Sequence, residues 1–509
     1  MLHKRPNVTF LAILLSIVLI VLPAASFGQT SETSVRYGTD IKKEAPVRYG
    51  PKIEKRTAVR YGVDIRAEDI RQVRPGEIVP EEVPSDFEFT MRNYLKFSGY
   101  YENYKEHSVI NPLNILRLEE TGLNMEFNTQ FKISYLYDYQ FIADVGYLAT
   151  VGTGDQGDDD THYITNEFFF DFFVAELFYF KVGKKRETWG VGYTFNPVQI
   201  IDFPKNLIDP YESREGNYLA MLEVPVGDAT LSFIYFPYVE YNLETDQGQS
   251  GIPNHIKYSD GREDFAARLS LLLWDTDISF IYYYADVIET VKKSYFGLSL
   301  NRYWGDLGVY LEVAGQEGKD QEYLEEDIYI LDGVPTLVYY WPTDDELVEI
   351  KEAEDNIYVN FAIGSNYTFP DSTKISLEYF RNSEGYSSGE FDYFYNAITE
   401  AGESYIETQD YRIENKILKT NQVLADRIRQ NYLSISFDRP NTFDDFFPHL
   451  NAVICLDDGS FMLNSTIDYA VRDDTTISLD LIGYVGESDS EFGLKPDHYK
   501  ATLRLEYYF

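Results

Sequence analysis

The sequence predicts an all-β protein, a transmembrane antiparallel β-barrel of about eighteen strands behind a mostly irregular N-terminal tail. Three observations lead there. The last stretch, Asp497 to Phe509, puts Ala501, Leu503, Leu505, Tyr507 and Phe509 on one face and His498, Lys500, Thr502, Arg504 and Glu506 on the other. That period of two fits only a strand with unlike surroundings on its two sides. Tyr 44 and Phe 34 make the chain 16% aromatic, more than a water-soluble core needs but suited to strands with aromatic girdles at both rims. Finally, short and long connectors alternate along the chain, as they do when turns gather at one end of a barrel and loops at the other.

The chain divides into residues 1–28, 29–90 and 91–509. Lys4 and Arg5 precede an apolar run from Phe10 to Leu22 and then Pro23, Ala24, Ala25, Ser26, Phe27 and Gly28. This is the order of a cleaved secretory signal peptide, and the run is shorter than the roughly 20 residues of a helical span. In the tail, Val35-Arg36-Tyr37-Gly38 recurs as Val47-Arg48-Tyr49-Gly50 and Val59-Arg60-Tyr61-Gly62, with Ile41, Ile53 and Ile65 in step. The unit is too short and polar to bury a core. From Gln29 to Arg74 the tail is net basic, within a chain of net charge -40. Such opposition predicts contact with an acidic partner or entry into an acidic pore, whereas Pro46, Pro51, Pro75, Pro80 and Pro84 equally suit a disordered spacer.

Strands are expected at 92–104, 123–137, 140–151, 162–173, 176–188, 217–225, 228–240, 263–274, 277–288, 293–303, 306–316, 356–369, 372–383, 428–438, 448–456, 460–472, 475–486 and 497–509, with further short strands conceivable around 105–122 or within 384–427. The mean hydropathy of -0.32 is no obstacle, because every second barrel residue faces water. No amphipathic helices are expected to cover so large a sheet, which leaves lipid to do so. The single Cys455 rules out an internal disulfide framework and reads as an inert thiol.

The even connectors are short, among them Asp138-Tyr139, Gly227, Asp275-Thr276, Trp304-Gly305 and Asp473-Asp474; Arg439 to Pro448 is the long exception. The odd connectors are long and acidic, as at Asp155, Asp158, Asp159 and Asp160 or from Asp320 to Asp355. One differs. Thr188 to Gly216, TWGVGYTFNPVQIIDFPKNLIDPYESREG, is apolar and aromatic, a poor solute for water, and is expected to fold inward and narrow a pore. Its Lys205, Asp209 and Arg214 are candidate polar contacts, and Trp189 is either a constriction residue or rim packing. Parity places Lys132, Lys181, Lys185, Arg268, Lys500, Arg504, Glu126, Glu312, Glu378, Asp468 and Glu506 on the lumen side, a wall of mixed sign.

A chain that ends on an aromatic in such a strand resembles the outer-membrane β-barrels of Gram-negative-type bacteria. The resemblance implies that Leu505, Tyr507 and Phe509 form the signal read by the barrel assembly machinery, and that the amino terminus lies in the periplasm. The string Trp189-Gly190, Asn196-Pro197, Asp209-Pro210 and Arg214-Glu215-Gly216 resembles uncharacterised porin-like families and, more loosely, eighteen-stranded alginate-export-type channels. It implies a selectivity loop with Lys205, Asp209 and Arg214 as polar contacts, and hence a channel for passive diffusion of small polar or charged solutes; together with Trp189 and the parity-assigned Lys181, Lys185, Arg268 and Arg504 these are the candidate pore residues. Expected partners are outer-membrane lipid, lipopolysaccharide and the solute, with peptidoglycan or a periplasmic protein for the tail. The acidic loops repel polyanions, so nucleic acid is not expected. Other readings are an adhesion or structural barrel with a closed lumen and, less favoured, an outer-rim hydrolase built on His162 and Asp158 to Asp160. The histidines His3, His107, His162, His255, His449 and His498 form no HExxH, and no GxSxG or phosphate loop occurs. Catalysis, cofactors and a bound metal are therefore not expected.

Overall fold

The computed structural model describes residues 87–509 except 106–107, 136–138, 153–159, 176, 202–215, 238–263, 289–290, 319–324, 332–333, 341–355, 425–426 and 440–444. The signal peptide, the tail with its VRYG repeats, the acidic loop runs and the side chain of His162 lie outside the described residues.

The strands are β1 (Phe87–Tyr104), β2 (Thr121–Tyr135), β3 (Tyr139–Gly152), β4 (Asp160–Val174), β5 (Phe178–Lys185), β6 (Asn217–Val226), β7 (Ala229–Phe236), β8 (Asp264–Leu273), β9 (Thr276–Ile288), β10 (Val291–Trp304), β11 (Leu307–Glu317), β12 (Glu325–Leu331), β13 (Val334–Tyr340), β14 (Ile357–Thr368), β15 (Lys374–Arg381), β16 (Asn431–Asp438), β17 (Phe446–Cys455), β18 (Phe461–Arg472), β19 (Thr475–Val485) and β20 (Asp497–Tyr508). Eighteen of them form one antiparallel sheet, closed where β20 pairs with β1. β12 and β13 make a separate hairpin in the β11–β14 connector. Each of the eighteen predicted strands is present.

Side chains follow the predicted parity. On β20, Leu503, Leu505, Tyr507 and Phe509 are exposed on the outer wall, while Lys500 and Arg504 make ion pairs on the inner one. Register carries this alternation round the sheet: outward Phe127 faces Tyr147, outward Phe141 faces Phe170, and outward Leu298 faces Val313. Only lipid solvates so continuous an apolar wall without cost, and the chain is a membrane-spanning barrel.

At the turn end the connectors are tight. Trp274 (φ 52) and Asp275 (φ 59) are both left-handed, the conformation whose twist matches two paired strands. Gly227 (φ 64) and Gly305 (φ 62) solve the same problem without a side chain. The long exception shrinks because β17 begins at Phe446 rather than 448, leaving 439–445.

The 384–427 connector corrects the expectation of extra strands and of a chain without amphipathic helices. It forms α1 (Ser388–Thr408) and α2 (Tyr411–Leu424). Ser387 and Glu390 make a reciprocal capping box that starts α1. Phe391, Phe394, Ile398 and Tyr405 of α1 and Ile417 of α2 bury against Ile110 and Ile115 of the β1–β2 connector and Leu494 of the β19–β20 connector. Gly402 is required there, since a Cβ would stand 2.7 Å from the Val109 carbonyl oxygen. Three loops thus share one small core at the loop end.

The closing seam is joined at its turn end by the terminal residue. Asn93 and Phe509 exchange two backbone hydrogen bonds of 3.0 Å, and the Phe509 ring meets Phe127 at 6.5 Å and Tyr507 at 5.4 Å. Deleting Phe509 strips the Asn93 N–H and C=O of their partners, at a cost of several kcal/mol for each group left in lipid. The heat-modifiable, folded band on an unboiled gel should fall sharply. Undiminished folded protein would mean that the terminal residue is dispensable for closure.

Candidate functional site

The apolar loop after β5 turns into the barrel, as its composition predicts. Trp189, Phe195 and Val198 are fully buried. Two glycines permit the path: Gly190 sits at φ +110, where a Cβ would lie 2.3 Å from Asn196 Oδ1, and at Gly192 it would lie 1.8 Å from the Phe195 carbonyl oxygen. Inside the loop, Trp189 N donates to Gln199 Oε1 at 2.7 Å and Gln199 Nε2 donates to the Glu187 carbonyl at 3.1 Å. A peptide segment in a lumen needs acceptors for its N–H groups, and the far wall supplies them. Val191 N and Gly192 N donate to Glu312 of β11, the latter at 2.7 Å. Tyr193 N donates at 2.9 Å to Glu378 of β15, which also accepts from Phe195 N and the Tyr310 hydroxyl. Tyr193 Oη donates to Asp438 at 2.8 Å, and the Thr194 and Ser434 hydroxyls are 2.7 Å apart on β16. The loop is held from β5 to β16.

Packing fills what the loop divides. Trp189, Val198, Ile200 and Ile201 join the inward Leu219, Met221, Ile234, Ala266, Ile281, Tyr283 and Tyr295 of β6–β10. Phe195 joins Ala362, Phe380, Tyr432, Val453, Cys455 and Met462 of β14–β18, with Phe492 from the β19–β20 connector. Cys455 is wholly buried there. Arg427, just past α2, lies over the Phe195 and Phe380 rings at 5.8 and 5.2 Å, so the loop-end core and the inward loop are contiguous.

Of the predicted pore residues, four come together. Lys181 pairs with Glu223 at 3.0 Å and Glu187 at 3.7 Å; Lys185 pairs with Glu187 at 3.6 Å and Glu167 at 3.9 Å; Arg268 reaches Glu223 at 3.8 Å and stacks over the Trp189 ring at 4.9 Å. Three cations meet three carboxylates at the root of the loop. Sequence reading missed Glu167, Glu187 and Glu223; the parity of Glu167 and Glu223 on their strands was the available signal. Arg504 stands on β20 with Asp480 and Glu506 instead. Lys205, Asp209 and Arg214 lie outside the described residues.

No family model matches the chain and no curated protein matches it. Among solved structures it is similar to OccK7 (OpdD) of Pseudomonas aeruginosa, with a TM-score of 0.45 and 10% identity over 84% of this chain and 99% of that one. It is also similar to OccAB1 of Acinetobacter baumannii, at 0.47 and 8% over 82% and 96%, and to P. aeruginosa OpdK solved with vanillate, at 0.46 and 9% over 83% and 98%. The barrel assignment here rests on the closed ladder itself.

Proposed function

We propose that the chain is an outer-membrane channel of the porin type through which small polar or charged solutes diffuse passively, selected by width and wall charge. The single observation that supports this is the loop of residues 186–201, which Glu312 and Glu378 hold across the lumen. A wall that only scaffolds a membrane protein has no use for an internal crosspiece anchored by buried carboxylates, whereas a pore is narrowed by one. In this reading the turn end faces the periplasm and Leu505, Tyr507 and Phe509 present the assembly signal. Lipopolysaccharide surrounds the acidic loops, and the basic tail meets peptidoglycan, a periplasmic protein or the pore. The looser likeness to alginate-export channels extends to strand number and the loop motif, and names no solute.

A second reading draws on the helices α1 and α2: loops that share a core can cap the lumen and serve an adhesion or structural barrel. Conductance across a planar bilayer separates the two, using full-length protein and a variant lacking Ser31 to Pro84. Open-channel steps in both support a diffusion pore with the tail as spacer or anchor. Steps only after deletion make the tail a plug, and silence in both favours the closed barrel.

A further inference from the structure

We infer that solutes cross along one side of the barrel, the inner wall of β18–β20 and β1–β2, past a ladder of ion pairs that suits uncharged or zwitterionic polar molecules. This rests on the channel reading and specifies its route. The inward faces of β6–β11 and of β14–β17, with Met462 at the loop end of β18, are covered by the loop residues Trp189, Phe195, Val198, Ile200 and Ile201, and apolar contacts of this kind exclude water. The wall of β19, β20, β1 and β2 is polar and charged. From the loop end downward, Lys500 Nζ pairs with Glu102 at 3.0 Å, Arg504 Nε with Asp480 at 2.7 Å, and Lys96 Nζ with Glu126 at 3.1 Å. The register makes these successive rungs: Lys500 stands opposite Glu102, Arg504 opposite Ser98, and Glu506 opposite Lys96. On β20 the steps are four and two residues, roughly 13 and 7 Å.

Each of these three cations has a carboxylate beside it. An ion of either sign must therefore compete with a partner already in place, while a solute that offers donors and acceptors together, or both charges, exchanges hydrogen bonds without leaving a charge uncompensated. Glu506, 3.7 Å from Arg504, makes four carboxylates to three cations in the rungs, and Asp468 on β18 and Lys132 on β2 add one of each sign, so any residual preference is for cations.

Cysteine accessibility in the full-length protein tests this, since the native Cys455 is buried and should stay silent. Thr502→Cys lies on β20 between Lys500 and Arg504; Ser232→Cys lies on the covered face of β7, fully buried. Water-soluble cationic and anionic thiosulfonates should label Thr502→Cys quickly, at rates within about tenfold of each other (1.4 kcal/mol), and should leave Ser232→Cys as slow as the wild type. Labelling Thr502→Cys should also lower the current. Faster labelling at Ser232 overturns the route, and a rate ratio beyond tenfold overturns the balanced ladder. Current that persists unchanged after Thr502→Cys is labelled overturns the route but leaves the channel. Rapid labelling at Thr502 in a protein that never conducts supports a water-filled lane while removing the channel.

Discussion

Glu378→Ala should turn a steady conductance into one that flickers to a larger level, and Glu312→Ala combined with it should hold the larger level. Glu378 accepts from Tyr193 N, Phe195 N and the Tyr310 hydroxyl, and Glu312 accepts from Val191 N and Gly192 N. A hydrogen bond to a charged group contributes about 1.5–3 kcal/mol, and stranding the buried loop amides adds a desolvation penalty. Losing one carboxylate therefore costs the docked loop on the order of 3–5 kcal/mol. The apolar packing of Trp189 and Val198 opposes release, which is why the single variant should flicker. Gly192→Ala should reach the same state by another route, since its Cβ cannot coexist with the Phe195 carbonyl. Single-channel recording on protein whose folded gel band is intact reads the result. Unaltered step size and noise in all three variants would show that the loop does not limit the lumen.

The loop-end core should loosen as pH rises through about 7. Between β19 and β20 the short helix α3 (Glu491–Leu494) buries the Glu491 carboxyl completely. Its oxygens accept from the Tyr432 hydroxyl at 2.9 and 2.8 Å and from Ile428 N at 3.3 Å, while its own backbone N–H donates to Asp458 at 2.9 Å. Burial pushes the carboxyl up to about 7; the Tyr432 hydrogen bond and nearby Lys495 oppose the rise and Asp458 adds to it. A carboxyl with a raised native value binds a proton that the opened state releases. Between about 4.5 and 7 the closed arrangement therefore loses stability as pH rises, by roughly 3 kcal/mol across the window. Amide exchange at 428–432 and 490–494, corrected for intrinsic rates, should show protection at pH 5.5 that weakens by pH 8. Glu491→Gln, neutral throughout, should flatten the profile. Equal protection of the wild type at both pH values would rule out a buried proton there.

The strands were legible because each one writes its two environments into alternate residues, and Leu123, Met125 and Phe127 against Asn124, Glu126 and Asn128 is enough to fix both the element and its facing. The inward loop was legible by contrast, being apolar among acidic neighbours. The helix α1 was hidden because YFYNAI is rich in strand-favouring aromatics; the capping pair Ser387 and Glu390, with apolar residues at 391, 394 and 398, carried the helical signal. The partners of the lumen cations were hidden for another reason. Lys181 meets Glu223 across 42 positions and Val191 meets Glu312 across 121, and such pairs depend on register and on the path of a loop, neither of which a single strand's composition contains.

Those separations also fix an order of events. Every anchor that the loop of residues 186–201 takes on the far wall, from Glu312 to Asp438, belongs to chain synthesised after it. The loop has nothing to dock on until β11, β15 and β16 stand in place, and contacts of such long range form late. The wall must therefore stand before its crosspiece can be seated, and the loop is the last part of the lumen to order.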